Sequence, residues 1–163
     1  MDLFLATHYE FFVRLCVAMI CGMIIGTERL IAHKTAGMRT YALVSMGSAL
    51  FVIVSIMAGQ EFSKTGGFDP LRVASQIVLG IGFLGAGMFS MKDKHVTGLT
   101  TATGLWVCAG IGMAAGFGLF GIAFLTTLMT LFVFIVLWFV EQRLKHIIPV
   151  IEDELGGHKK EDD

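Results

Sequence analysis

The sequence carries little charge for its length. Only 15% of its 163 residues are Asp, Glu, Lys or Arg, whereas about 25% is usual for a soluble domain. Apolar residues make up 55% of the chain, and they come in long blocks instead of the alternating patterns of half-buried helices or strands. The composition therefore predicts an integral membrane protein in contact with the lipid bilayer, with little of the chain left for a soluble domain.

Other missing features exclude whole classes of site. The three cysteines, Cys16, Cys21 and Cys108, lie inside apolar blocks without a CxxC spacing, so neither a disulfide framework nor a zinc site is predicted. No basic cluster indicates nucleic-acid binding. The segment from Gly80 to Gly87 contains a GxGxxG match, but no strand precedes it and it lies in an apolar block, which argues against a dinucleotide site. No nucleophile is paired with a base, so neither an enzyme nor a cofactor is predicted, and a metal site stays unknown.

Five apolar blocks are long enough to cross a bilayer as helices, for which about 20 residues are needed. They predict an all-α, polytopic five-helix bundle. The predicted helices cover residues 11–31, 41–58, 70–89, 99–115 and 122–140. Residues 1–145 then form one transmembrane domain, and the polar tail 146–163 is predicted to be disordered. The first block is predicted to be a helix and not a cleaved signal peptide, because acids precede it and no cleavage site follows.

The distribution of cations predicts which way the bundle lies in the membrane. Five crossings put the two ends of the chain on opposite sides. One side would hold nine cations, namely Arg29, Lys34, Arg39, Lys92, Lys94, Arg143, Lys145, Lys159 and Lys160. The other side would hold three, namely Arg14, Lys64 and Arg72. By the positive-inside rule, the N-terminus is predicted to lie outside and the C-terminus in the cytoplasm.

Ionisable residues inside the predicted spans are candidates for function, because they are costly in a bilayer. Arg14, Cys21 and Glu28 are spaced by seven on helix one. Arg14 and Glu28 are about 21 Å apart along that helix and cannot pair with each other. One hypothesis pairs Arg14 with Asp69 and Glu28 with Arg39. The alternative is that each side chain reaches its own membrane surface and that Asp69, which precedes a proline, only caps helix three.

Small and polar residues on three helices predict close packing. Arg72, Gln76, Gly80, Phe83 and Gly87 fall on one face of helix three, which predicts a position in the middle of the bundle. Residues spaced by four on helices one and four form ladders that allow backbones to approach. The predicted packing positions are Ala18, Gly22, Gly26, Gly80, Gly82, Gly85, Gly87, Gly112 and Gly116.

Four segments in order resemble the MgtC/SapB family of membrane proteins. They are R-L-C-V-A-M-I-C-G-M-I-I-G-T-E-R from Arg14, T-A-G-M-R-T from Thr35, D-P-L-R-V-A-S-Q-I-V-L-G-I-G-F-L-G-A-G from Asp69, and V-T-G-L-T-T-A-T-G-L-W from Val96. The family looks like a five-helix transmembrane domain, in agreement with the count above. The chain resembles the shorter SapB-like branch, because it ends about twenty residues after helix five and the MgtC branch continues into a cytoplasmic domain.

The resemblance implies which polar residues are functional. They are Arg14, Glu28, Arg29, Arg39, Asp69, Arg72, Gln76, Thr100 and Thr101. It also implies a bacterial inner-membrane protein that serves survival under magnesium limitation or other stress. One interpretation is a non-enzymatic regulator that binds another membrane complex or its own copy, with a dimer favoured. The alternative is a small oligomeric transporter or channel for magnesium, another cation or protons.

Overall fold

The computed structural model describes residues 2–62, 69–88, 90–92 and 95–145. The helices are α1 Asp2–Ile31, α2 Met38–Phe62, α3 Pro70–Gly87, α4 Leu99–Gly116 and α5 Phe120–Phe132. Between α3 and α4, the strands β1 Ser90–Lys92 and β2 His95–Thr97 form a small antiparallel hairpin where the sequence predicted only a charged turn. The predicted disordered tail, 146–163, lies outside the described residues.

Among the described residues, four helical segments are long and apolar enough to cross a membrane. They are His8–Ile31, Met38–Gln60, Leu99–Gly116 and Phe120–Lys145. The apolar part of α3, Leu71–Gly87, is shorter than these four. The mainly helical, multi-pass architecture predicted from the sequence is therefore confirmed. The first two helices extend beyond their apolar blocks, because polar residues at their ends continue the same helix.

The backbone of α2 is approached by glycines from α1 on one side. A methyl group built on Gly22 would lie 2.5 Å from the carbonyl oxygen of Tyr41, and one built on Gly26 would lie 2.5 Å from the Cα of Met38. As the residue number rises along α1, it falls along α2. The two helices are therefore antiparallel neighbours whose contact requires the absence of side chains at these two positions.

Helix α2 also packs against α4, and the contacting residues advance by four along both helices. The Sγ of Cys108 donates to the carbonyl oxygen of Tyr41 at 3.2 Å, across 67 residues. Four residues further along each helix, Gly112 meets Ser45, and after four more Gly116 meets Ala49. Residue numbers rise together along both helices. Helices α2 and α4 are therefore parallel, and the chain has to return across their length between them.

Mostly small side chains fill the core between these helices. Ala18, Ala49 and Ala115 are fully buried, and Tyr41 is the largest fully buried side chain among the described residues. On α5, Thr127 is buried and donates to the carbonyl oxygen of Ala123 at 2.8 Å. Small residues suit helix packing in a membrane, where close backbone contact replaces the hydrophobic effect as the source of stability.

Helix α3 lies at the rim of the bundle. It packs mainly against α2 and α4. A methyl group built on Gly85 would lie 3.7 Å from the Cβ of Ala102 on α4. Most of its residues are exposed, and Phe83 is 82% exposed. The prediction that α3 lies in the middle of the bundle is therefore wrong, because three small-residue helices already form the core.

The chain divides into two compact units, residues 1–130 and residues 131–163. In the second unit, Val133–Leu137 forms a π-helical turn, and the described helix continues to residue 145. Lys145 pairs there with Glu141 at 2.5 Å, and the Arg143 guanidinium lies 5.4 Å from the centre of the Phe139 ring.

Candidate functional site

Arg14 joins the first turns of α1 to the end of α4. Its Nη1 donates to the carbonyl oxygen of Gly116 at 2.7 Å, its Nη2 pairs with Glu10, and its Cζ lies 5.9 Å from the centre of the Phe11 ring. A methyl group built on Gly118, where φ is +80°, would lie only 3.3 Å from the guanidinium. The cation therefore binds the negative end of the α4 dipole, where the last carbonyls lack helical partners.

These contacts correct the hypothesis that Arg14 pairs with Asp69. The carboxylate partner of Arg14 is Glu10, one turn earlier on the same helix. Asp69 caps α3 instead, because its Oδ1 accepts from the backbone amide of Leu71 at 2.9 Å and Pro70 occupies the first turn. The alternative role of Asp69 as a helix cap is thus confirmed.

The opposite end of α1 holds a second group of polar side chains, around Arg29. This side chain is buried, with the residue only 3% exposed, and its Nε donates to the carboxylate of Glu28. Close to the same end of the bundle, the Tyr41 hydroxyl donates to the backbone carbonyl of Thr101 at 3.2 Å. The structure thus brings the end of α1 and the starts of α2 and α4 together around buried polar atoms.

The pairing of Glu28 with Arg39 is also wrong. Glu28 pairs with its chain neighbour Arg29, which is buried and needs a countercharge nearby. Arg39 and Thr100 are exposed on the first turns of α2 and α4. Of the residues predicted at this end, Glu28, Arg29 and Thr101 therefore belong to the buried part, and Arg39 and Thr100 lie on its surface.

The polar side chains of α3 are exposed, in contrast to the buried or half-buried Arg14, Glu28 and Arg29 of α1. Arg72 and Gln76 are exposed, and within the described ranges neither side chain makes an ion pair or a hydrogen bond. No atom of the described chain lies within 4 Å of a methyl group built on Gly80, Gly82 or Gly87. These glycines do not pack within one chain, in contrast to Gly22, Gly26, Gly112 and Gly116.

A comparison with known proteins identifies the family. The sequence profile of the MgtC family matches residues 15–143, which is most of the chain. The chain belongs to the MgtC family. Of the charged residues predicted to be functional, all except Arg14 fall inside the matched range, and Arg14 directly precedes it.

Three relatives illustrate how this MgtC-family chain compares with longer proteins. It is 42% identical over 126 residues to YhiD of Escherichia coli K12, provisionally named a magnesium transporter, with 76% of this chain and 59% of YhiD covered. It is 40% identical over 149 residues to an uncharacterized protein of Synechocystis, with 91% and 61% covered. It is 39% identical over 146 residues to protein MgtC of Salmonella typhimurium LT2, with 90% and 60% covered. The chain therefore spans about three fifths of the length of these curated relatives. No solved structure matches it.

In the described part of this MgtC-family chain the acidic residues are dispersed. No group of three His, Cys, Asp or Glu side chains in the described part of the chain is close enough to hold a metal ion. Magnesium is held by one or two carboxylates and several waters. Glu28 already accepts from Arg29, and Asp69 already caps α3. Both carboxylates therefore have partners within the chain.

Sequence reasoning missed three of the groups that complete these contacts. Glu10 precedes the first apolar block and was not paired with Arg14, although a spacing of four on a helix allows the pair. Tyr41 stands at the start of the second block, where an aromatic residue is typical of a membrane interface, and only the structure shows that its hydroxyl reaches Thr101. Gly118 lies in the predicted turn and gives Arg14 its space.

Proposed function

We propose that this MgtC-family chain is a non-enzymatic protein of the bacterial inner membrane that crosses the bilayer five times. The parallel packing of α2 and α4 supports the fifth crossing, because a chain that leaves the end of α2 must recross before α4 begins. Helix α3 supplies this return: its 18 residues rise about 27 Å, close to the bilayer core of about 30 Å. The cation count predicted from the sequence, nine on the Arg29 side against three on the Arg14 side, supports an N-terminus outside and a C-terminus in the cytoplasm.

The proposed activity is regulation by binding within the membrane. The observation that carries it is the exposed outer face of α3, where Gly82 and Ala86 are spaced by four and Leu79 and Phe83 are 70% and 82% exposed. Small residues at this spacing let a second helix approach, and flanking large side chains can then pack around it. The partner is another membrane protein or a second copy of the chain, in adaptation to magnesium limitation or other stress.

Bulky substitutions on this face test the proposal. We expect Gly82→Ile and Ala86→Ile to abolish growth support under magnesium limitation in a strain that depends on this chain, while the amount of folded protein in the membrane stays unchanged. Gly121→Ile is the matched control, because Gly121 is also exposed and has no atom within 4 Å of its Cβ position. Full growth with Gly82→Ile and Ala86→Ile would contradict the proposed binding face.

Transport is the second candidate, because the Escherichia coli relative is provisionally named a magnesium transporter and because Arg72 and Gln76 lie exposed in an apolar helix. Ion flux into proteoliposomes separates the two functions. If the chain is a regulator, we expect the magnesium and proton fluxes into its proteoliposomes not to exceed those into empty liposomes. Strong, ion-specific flux that Glu28→Gln or Arg72→Gln abolishes would favour the transporter.

A further inference from the structure

An apolar groove of about 540 Å³ runs between α2 and α3. Gly47 and Phe51 line it from α2, and Val73, Gly80 and Leu84 line it from α3. No described atom lies within 4 Å of a methyl group built on Gly47 or on Gly80. The groove is thus open at two positions, one on each helix, where the lining residue is a glycine without a side chain. This groove is separate from the outer face of α3 that carries Gly82 and Ala86.

The dimensions of the groove fit a hydrocarbon chain better than a helix. From Val73 to Leu84 the α3 wall rises about 16 Å, which is about half the thickness of the bilayer core. The length of the groove along α3 therefore corresponds to the thickness of one lipid leaflet. A helix needs an axis separation of about 8–10 Å from each neighbour, whereas α2 and α3 are in contact beneath the groove. A second helix could lie over the groove but could not enter it.

Two polar side chains line this mainly apolar groove, Ser48 from α2 and Gln76 from α3. Arg72 precedes Gln76 by one turn, near the start of α3. Arg72 is exposed, and a long arginine side chain so close to a helix end can bring its guanidinium to the membrane surface. Among the described residues Asp69 does not form an ion pair with Arg72, and its Oδ1 accepts from the amide of Leu71. The Gln76 amide thus lies in the wall of the groove, and the Arg72 cation lies one turn closer to the start of α3.

We propose that this groove binds one acyl chain of an anionic phospholipid whose phosphate accepts hydrogen bonds from Arg72. The planar guanidinium donates in pairs to phosphate oxygens, which gives both strength and orientation. Gln76 follows Arg72 by one turn, about 6 Å along α3, so in this site its amide would face the ester groups that join the headgroup to the chains. This lipid site does not depend on the proposed regulatory function.

A tryptophan reporter in the groove tests the site. Phe51→Trp is introduced into the full chain after Trp106 and Trp138 are replaced by Phe, and the purified protein is reconstituted with lipids whose acyl chains are brominated. Bromine quenches a tryptophan that it contacts. We expect brominated phosphatidylglycerol to reach half-maximal quenching at about fivefold lower mole fraction than brominated phosphatidylcholine, the factor that one arginine near an anionic headgroup supplies.

Two further variants assign the effect to the groove and to its cation. Arg72→Gln is expected to make the two lipids equal, whereas Arg39→Gln, an exposed cation on another helix, leaves the preference intact. Gly80→Leu fills the groove and is expected to reduce quenching by both lipids. Its matched control is Gly82→Leu, at an equally open glycine outside the groove.

Four results would overturn the lipid site. The first three are equal quenching by both lipids in the reporter protein, a preference that survives Arg72→Gln, and equal quenching in Gly80→Leu and Gly82→Leu. Protection of the reporter from both lipids, with a cross-linked dimer through α3, would show that a second copy covers the groove and would also overturn it.

Discussion

Gly112 brings the backbone of α4 directly against the backbone of α2. A methyl group built there would lie 2.0 Å from the carbonyl oxygen of Ser45 and 2.8 Å from its Cα, whereas ordinary van der Waals contact begins at 3.4 Å. These are backbone atoms, so no side-chain rotation can relieve the overlap. Gly112→Ala therefore has to move two helices apart by more than an ångström.

The cost of this movement follows from the contacts it weakens. Extra methyl groups in a well-packed core cost about 1–3 kcal/mol, and separating α4 from α2 also lengthens the 3.2 Å contact from Cys108 to Tyr41. We therefore expect Gly112→Ala to lower the free energy of unfolding by about 2–3 kcal/mol, at the upper end of the range for overpacking.

Unfolding in mixed micelles by titration with SDS, followed by helix content, measures this loss. Gly110→Ala is the control, because it lies two residues away on the same helix and has no described atom within 4 Å of its Cβ position. Both substitutions gain the same helix propensity, up to about 1 kcal/mol in water, so their difference reports the steric overlap alone. Equal stability of the two variants would refute the close packing of α2 and α4.

Substitutions at three further positions, with Arg29→Gln in a double variant, test the polar contacts with the same unfolding assay. Arg14→Gln should cost about 1–2 kcal/mol, because it removes the charged donor to Gly116; no loss would contradict this bond. Asp69→Ala should cost about 1 kcal/mol and Asp69→Ser should restore it, whereas equal effects would exclude the cap. Glu28→Gln should cost about 2–3 kcal/mol, since Arg29 is 3% exposed and loses this carboxylate; additive losses in the double variant with Arg29→Gln would argue against their pairing.

Local features of the fold could be predicted from the sequence, because each depends on neighbours along the chain. Asp69 and Pro70 mark the start of α3 through capping and a fixed backbone angle. The uncharged, glycine-rich segment after α4 predicted a tight turn, and the structure places α5 only four residues after Gly116. Spacing by four on α1 and α4 likewise predicted where backbones approach each other.

The partners of the buried charges could not be predicted, because they depend on which helices become neighbours. Periodicity places Arg14 and Glu28 on a face of α1 but does not show what lies opposite that face. The structure fills the core with α1, α2 and α4, so that Arg14 meets the end of α4 and Arg29 satisfies Glu28. The same patterning argument therefore misplaced α3, where Gly80, Gly82 and Gly87 face open space and only Gly85 meets a helix of the same chain, at Ala102.

The two arginines of the Arg14 end show why burial, and not charge alone, separates structural from functional residues in this bundle. The side chain of Arg14 is 14% exposed and is held by a backbone carbonyl and by Glu10, so its loss should lower stability whatever lipid surrounds the protein. Arg72 is exposed on the rim helix beside an open groove, so its loss should leave stability unchanged in phosphatidylcholine and alter only the choice of lipid. A polar residue in a membrane helix costs free energy. Among the described residues, no ion pair or side-chain hydrogen bond offsets this cost for Arg72 or Gln76. Water at the membrane surface and the phosphate of the proposed lipid are therefore the partners available to Arg72.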